Sequence, residues 1–242
     1  MNIKVDTHTH TLASGHAYST IREMAKAAKE KGLEGLAITD HAPTMPGGPH
    51  LFYFQNTKVL PKQMEGVEML YGVELNILNE EGDIDLPIDV LDKLDLKIAS
   101  IHPPCFQGEI TKESITRTYL NVMDNKRIDI IGHPDDARFP VDYEKLVKKA
   151  KETHTLLEIN NSSLHPQSFR QGARKNITTL LKECQKQQVP VVIGTDSHVD
   201  IDVGICDYVS AVMSEVGFPQ ELVVNTKLTK LKAALQSKSS RL

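Results

Sequence analysis

Cysteine is scarce. Cys105, Cys184 and Cys206 are the three among 242 residues, and they stand far apart. They form neither a disulfide framework nor a C-x-x-C metal knuckle, and they read as reduced thiols. No apolar run reaches the length that spans a bilayer. The N-terminus has no basic stretch leading into an apolar core, so no secretory leader is expected. Positive charge is not in excess either. Lys and Arg total 28 against 32 Asp and Glu, a formal net charge of −4. That balance disfavours long nucleic acids and membrane surfaces as partners. Nucleophile and phosphate motifs of the G-x-S-x-G and P-loop kinds are missing too. A cytoplasmic protein is expected, of ordinary globular composition, 40% hydrophobic and 25% charged, and any chemistry it performs must come from other groups.

Strand and helix signals alternate along the chain. Strands are expected over residues 3–7, 35–39, 68–75, 96–101, 128–132, 156–160 and 190–194. Helices are expected over residues 20–31, 111–125, 143–154, 177–187 and 219–236, with a further helical stretch near 60–66. A Pro/Gly-rich loop occupies residues 43–49, and a turn lies at 80–84. This alternation describes βαβ units and a parallel sheet. No linker, repeat or charge block divides the chain, so residues 1–242 read as one domain, with a frayed polar tail from 237 to 242.

The histidines decide between an open sheet and a ring. His8 and His10 follow the first strand, within Asp6-Thr7-His8-Thr9-His10. His41 follows the second strand, Glu74 ends the third, His102 follows the fourth and His133 the fifth. Asp196 and His198 follow the last. An open doubly wound sheet gathers ligands at one crevice, whereas these residues leave six different strands. Only a closed or nearly closed barrel brings so many strand ends to one face.

Imidazole nitrogen and carboxylate oxygen suit Zn²⁺, Mn²⁺ or Fe²⁺. Residues i and i+2 of a strand point the same way, so His8 and His10 converge on one ion. Glu74 has two oxygens and can bridge to a second ion, which His102 and His133 complete. Asp196 and His198 repeat the i, i+2 arrangement beside the first strand. His16, on the loop after that strand, reaches a third ion with His41 and His198. Asp6 and Asp40 neighbour these residues and either orient imidazoles or cap the strand-to-loop turn. His50 is a candidate substrate contact, while His154 reads as structural. The segment from Asn160 to His165 reads as polar support or substrate contact. Arg138, Arg170, Arg174 and Lys175 are the basic groups available to hold an anion.

Such a cluster stays strongly positive after Glu74 and Asp196 are counted, and it attracts phosphate. Metal binding brings the pKa of water from about 15.7 to about 7, so hydroxide is on hand at neutral pH. A metal-dependent hydrolase of phosphate esters follows, most simply a phosphomonoesterase, with Glu74, Asp196 and His198 as catalytic candidates. Two alternatives use the same ligands: a phosphodiesterase or 3′–5′ exonuclease on short nucleotides, and a metal-containing regulatory module without turnover.

These residues fall in motifs that resemble the PHP (polymerase and histidinol phosphatase) superfamily. They are Asp6-Thr7-His8-Thr9-His10, Ile38-Thr39-Asp40-His41, Gly72-Val73-Glu74, Ile101-His102, Gly132-His133-Pro134 and Gly194-Thr195-Asp196-Ser197-His198. The stretches His16-Ala17-Tyr18-Ser19-Thr20 and Leu157-Glu158-Ile159-Asn160-Asn161-Ser162-Ser163 are similar to the YcdX-like branch of bacterial phosphatases. The resemblance implies a distorted (β/α)7 barrel with a trinuclear zinc site and a phosphorylated small molecule as substrate. By motif, the first ion takes His8, His10, Glu74 and Asp196. The second takes Glu74, His102 and His133, and the third His16, His41 and His198. One departure is His102-Pro103-Pro104, where members of the branch carry an acidic residue after the histidine.

Overall fold

The computed structural model describes residues 2–239. The chain enters through β1 (Val5–Asp6), crosses by α1 (Ile21–Glu30) and returns as β2 (Gly35–Ile38). Helix α1 starts where its sequence says it should. Thr20 accepts from the Glu23 amide and the Glu23 carboxylate accepts from the Thr20 amide, a reciprocal cap that satisfies two orphan donors. Its Met24, Ala25, Ala27 and Ala28 are buried against the sheet.

After β2 come α2 (Leu51–Gln55), β3 (Gln63–Met64), β4 (Val67–Asn76) and α3 (Ile88–Leu91). The helical stretch expected near 60–66 is not formed. Residues Glu65 and Gly66 both take positive φ, 55° and 84°, and turn β3 back antiparallel onto β4. Two consecutive positive-φ residues make a tight hairpin, and Gly66 permits it. The second half continues with β5 (Leu96–Ser100), α4 (Lys112–Asp124), β6 (Ile130–Ile131), α5 (Tyr143–Thr153), β7 (Leu156–Asn160), α6 (Ala173–Gln187) and β8 (Val191–Gly194). Helix α7 (Asp207–Val216) had no counterpart in the sequence reading. The helix expected over 219–236 is broken into two 3₁₀ turns, at Gln220–Leu222 and Val224–Thr226, before α8 (Leu228–Ser239). The polar tail expected from 237 is thus helical to Ser239, and residues 240–242 lie outside the described ones. No helix among the described residues is long and apolar enough to cross a membrane.

Among the described residues, seven strands run parallel in the order β1-β2-β4-β5-β6-β7-β8, with β3 as an appendage of β4. First and last strands meet to close the ring, but not by an ordinary ladder. Towards their C-terminal ends, the Asp196 amide donates to the His8 carbonyl and the His10 amide to the Ser197 carbonyl, both at 2.9 Å. Lower down, the buried Asn225 side chain fills the gap. Its Nδ2 donates to the carbonyls of Val5 (2.8 Å) and Ile193 (2.7 Å), while its Oδ1 accepts from the Ile193 amide (3.1 Å). One amide side chain therefore completes the hydrogen bonds that a further ladder would have made.

The barrel interior has two halves. Val5, Ala37, Leu70, Ile98, Ile130, Leu156 and Val192 form an apolar cluster that Val224 and Leu231 join from below. Two or four residues further along the same strands, on the same faces, stand Glu74, His102, Glu158 and Asp196. The apolar half is a plug, and the polar half is the floor of a cavity.

Candidate metal centre

Glu74 stands at the centre of the polar half, fully buried. Its Oε1 is 3.4 Å from His8 Nε2, 3.2 Å from His102 Nε2 and 2.9 Å from His133 Nε2. Its Oε2 is 3.5 Å from His10 Nε2 and 2.7 Å from His41 Nδ1. Asp196 Oδ1 lies 3.3 Å from His10 Nε2 and 3.7 Å from His8 Nε2. The strand ends do meet at one carboxylate.

Among the described residues, three sets of ligand atoms lie close enough together to hold an ion: His8, His10 and Glu74; His41, Glu74 and His102; His10, His41 and His198. Glu74 belongs to two of them. His133 adjoins the second set through Glu74 Oε1. His16 falls outside these sets, although its ring centroid is 5.0 Å from that of His41 and 4.8 Å from that of His198. The grouping differs from the motif-based one in placing His41 against Glu74, where the backbones of the two residues also pair.

The tautomers follow from the outward partners. Glu158 Oε1 accepts from His8 Nδ1 at 2.7 Å. Ser14 Oγ donates to Asp40 at 2.7 Å and therefore accepts from His10 Nδ1 at 3.1 Å. Asn76 donates its amide to Asp85, so its Oδ1 accepts from His102 Nδ1 at 2.7 Å. His198 Nδ1 lies 3.0 Å from the Asp196 carbonyl and donates to it. Four imidazoles thus carry their proton on Nδ1 and turn an unprotonated Nε2 inward. The His8 and His10 Nε2 atoms are only 3.1 Å apart. Lone pairs aimed at each other in a buried site repel unless a cation lies between them. His41 Nδ1 and Glu74 Oε2 are buried without a hydrogen bond, despite their close approach. These donors fit divalent ions.

Burial disfavours charge on every group here, and at His8, Glu74 and Asp196 the surroundings override it. With no ion bound, Glu158, Glu74 and Asp196 hold His8 well above the usual imidazole range, so an ion at its Nε2 would take the place of a proton there. His102, His8 and His41 hold Glu74 well below the usual carboxylate range. Asp196 is lowered likewise by His8, Arg170 and His10. For His10, burial and the neighbouring His41 and His198 act together and lower it far. The carboxylates make this a pocket that favours positive charge.

Two site residues adopt left-handed backbone: His133 at φ 25° and Asp196 at φ 55°. Such conformations cost of order 1 kcal/mol for non-glycine residues and persist where surrounding contacts enforce them. Glu158 is the enforcing contact at His133, whose amide donates to Glu158 Oε2 at 2.8 Å. Space for Glu158 comes from Gly194. A Cβ there would lie 2.0 Å from Glu158 Oε1 and 2.9 Å from His8 Cβ.

The sequence reading missed Glu158 and Asn76 as the groups that fix His8 and His102. A signal existed for the first, since Glu158 is a charged residue inside an otherwise apolar strand. Asn76 supplies the support that the residue after His102 does not. For Asp6 and Asp40 the turn-capping alternative holds, while the expectations for His50, His165, Arg174 and Lys175 need correction. Asp6 accepts from Thr195, Gly204 and His8 amides, and Asp40 from Thr11, Ser14 and Tyr53. Neither touches an imidazole ring, so both tie the turns, and Asp40 reaches His10 only through Ser14. His50 caps α2 by accepting from the Phe52 amide and does not line the cavity. His165 is exposed and packs against Tyr208. Of the basic residues, Arg138 and Arg170 line the cavity. Arg174 pairs with Glu215, and Lys175 lies on the outer groove with it.

A cavity of about 510 Å³ opens over this centre. Its floor includes His16, His41, His102, His133, Asp196 and His198. Arg170 donates to Asp196 Oδ2 at 2.9 Å, to Ser163 at 3.1 Å and to Asn160 at 3.2 Å, so its guanidinium is fixed beside the floor.

Comparison with known proteins agrees with this layout. The model of the PHP domain matches residues 6–168. The chain belongs to the PHP family. A probable phosphatase of Caldanaerobacter subterraneus subsp. tengcongensis is 46% identical over 242 residues, which is 100% of this chain and 94% of the relative. A probable phosphatase of Clostridium novyi is 46% identical over 98% of this chain and 96% of its own length. Among solved structures, this PHP chain is similar to the histidinol phosphate phosphatase of Lactococcus lactis, crystallised with zinc, L-histidinol and phosphate. That likeness has a TM-score of 0.60 at 20% identity and covers 89% of this chain and 94% of that one. At this identity it is a likeness of fold, that of a nearly closed (β/α)7 barrel.

Proposed function

We propose that this PHP protein is a metal-dependent phosphatase that hydrolyses phosphomonoesters of small molecules at a trinuclear zinc site. The observation that carries the reading is the set of inward Nε2 atoms around the shared carboxylate of Glu74. His8, His10, Glu74 and Asp196 would hold the first ion, Glu74, His102 and His133 the second, and His16, His41 and His198 the third. His41, with Nδ1 2.7 Å from Glu74 Oε2, would be able to serve the second ion as well. Bound there, the ions would supply Lewis acidity toward phosphoryl oxygens and a water acidic enough to attack at neutral pH.

The chain's own residues do the rest. Glu158, Ser14 and Asn76 keep the proton of His8, His10 and His102 on Nδ1, so that Nε2 stays available. Arg170 sets a fixed positive charge beside Asp196 and favours an anionic ester in the cavity. Asp196 and His198 face that cavity together. Relatives named probable phosphatases support the reaction class.

The test is hydrolysis of p-nitrophenyl phosphate before and after chelation, with zinc or manganese added back. Activity that disappears and returns with metal supports the reading. No activity in protein shown to be metal-loaded moves the assignment to a diester substrate or to a role without turnover.

A further inference from the structure

Residues 43–53 lead from the end of β2 into α2 and pass along the edge of the cavity. Pro43, Pro46 and Pro49 leave this arch three amide donors short. Two carboxylates hold it. The Thr44 amide donates to Asp85 Oδ2 at 3.0 Å, and the Tyr53 hydroxyl donates to Asp40 Oδ2 at 2.6 Å. Between these pins Met45 lines the cavity. Gly47 packs on Gly15, where a Cβ would lie 2.5 Å from the Gly47 carbonyl oxygen.

Each pin faces an imidazole relay on its other side. Asp40 accepts from Ser14, which accepts from His10. Asp85 takes two bonds from Asn76: the backbone amide donates to Oδ1 at 2.9 Å, and Nδ2 donates to Oδ2 at 2.6 Å. Asn76 Oδ1 is thereby left to accept from His102 Nδ1 at 2.7 Å.

A carboxamide has a donor end and an acceptor end, so the orientation of Asn76 decides the tautomer of His102. Turned over, Asn76 would present its NH2 group to His102 Nδ1. The ring would then accept at Nδ1 and carry its proton on Nε2, which closes the lone pair that an ion needs. Asp85 prevents that turn, because its oxygens only accept and an inverted Asn76 would bring oxygen against oxygen. The Ala42 carbonyl also takes a bond from Asn76 Nδ2, but at 3.3 Å. The shorter bond to a charged acceptor is the stronger of the two.

We infer that Asp85 is a positioning residue of the metal centre. Through Asn76 it holds His102 in the tautomer that leaves Nε2 free, and through the Thr44 amide it holds the arch that brings Met45 to the cavity. One half-buried carboxylate thus sets a metal ligand and a piece of the cavity wall together. This rests on the metal-site reading for its purpose, but the tautomer is read in the metal-free chain, apart from any turnover.

The test compares the native full chain, Asp85→Asn, and Asp85→Asn combined with Asn76→Asp. An amide at position 85 has one acceptor in place of two. Its oxygen serves the Asn76 backbone amide, and its NH2 group then favours the inverted Asn76 and leaves the Thr44 amide unpaired. Long-range proton–nitrogen NMR of the metal-free chain reads the tautomer, with the His102 signals assigned by their loss in His102→Gln. The native ring is expected to carry its proton on Nδ1, and the Asp85→Asn ring on Nε2. Affinity for one ion falls roughly 10–100-fold in Asp85→Asn, read by competition with a chromogenic chelator. A carboxylate at position 76 can only accept, so the double variant returns the His102 proton to Nδ1. Hydrogen exchange at the Thr44 amide is expected to quicken in both variants, because neither restores its acceptor.

His102 still protonated on Nδ1 in Asp85→Asn, with metal affinity unchanged, would overturn the inference. A tautomer lost in Asp85→Asn and not restored in the double variant would overturn it too, since general loosening gives that result. Unchanged exchange at Thr44 would overturn the part that concerns the arch. The expected tautomers in a chain that hydrolyses no ester would keep the positioning role and remove the phosphatase.

Discussion

The two halves of the barrel interior are built by the same strands and the same strand faces, yet they follow opposite rules. Leu70, Ile98, Leu156 and Val192 fill the lower half with apolar contact, and Leu231 of α8 caps it. Glu74, His102, Glu158 and Asp196 fill the upper half with buried polar groups, each committed to named partners. The lower half stabilises the fold by removing apolar surface from water. The upper half works against the fold, because buried carboxylates and unprotonated imidazoles lose hydration. It is tolerated because the outward nitrogens of His8, His10, His102 and His198 are satisfied and because the inward atoms suit cations. Stability and function are thus separated along a strand by about four residues.

That contrast can be broken from either side. Chelation has the largest expected effect. It should abolish ester hydrolysis and lower the melting temperature, since ions that bind only the folded chain stabilise it by mass action. Calorimetry with and without chelator checks this, and an unchanged melting temperature would count against ions in the upper half. Next comes Glu158→Gln, which removes the charge behind His8 and weakens the grip on the His133 amide. Metal affinity should fall by roughly 10–100-fold, measured by competition with a chromogenic chelator. Gly194→Ala should produce a similar loss, because its Cβ would displace Glu158. The lower half should answer differently. Leu231→Ala should cost about 2–5 kcal/mol in denaturant unfolding, with metal affinity of the folded protein unchanged. Asn225→Ala should cost about 1–3 kcal/mol by leaving buried backbone groups unpaired at the barrel seam. A metal-affinity loss in Leu231→Ala as large as that in Glu158→Gln would erase the proposed division.

Much of this was legible in the sequence because chemistry-bearing residues follow strands. His8, His10, His41, Glu74, His102, His133, Asp196 and His198 each sit at a strand's C-terminal end, and a barrel brings such ends together. What escaped the reading was set by tertiary contact. Asn225 closes the seam from a segment that reads as helix. Glu158 and Asn76 act through partners 150 and 26 residues away in sequence. The β3 hairpin was hidden because a short apolar–polar stretch suits either helix or strand, and the left-handed Glu65-Gly66 pair decided it. Arg174 and Lys175 look like anion-binding groups on paper, but α6 carries them to the outer groove. Arg138 and Arg170 could not be told apart from them by charge alone.

The most direct test is the ion count per chain in the native protein and in Glu74→Gln, by elemental analysis of folded, activity-assayed samples. The account predicts three ions in the native chain. It predicts fewer in Glu74→Gln, with kcat/KM reduced more than about a hundredfold, because one carboxylate serves two ions. A Glu74→Gln protein with full metal content and full activity would contradict it.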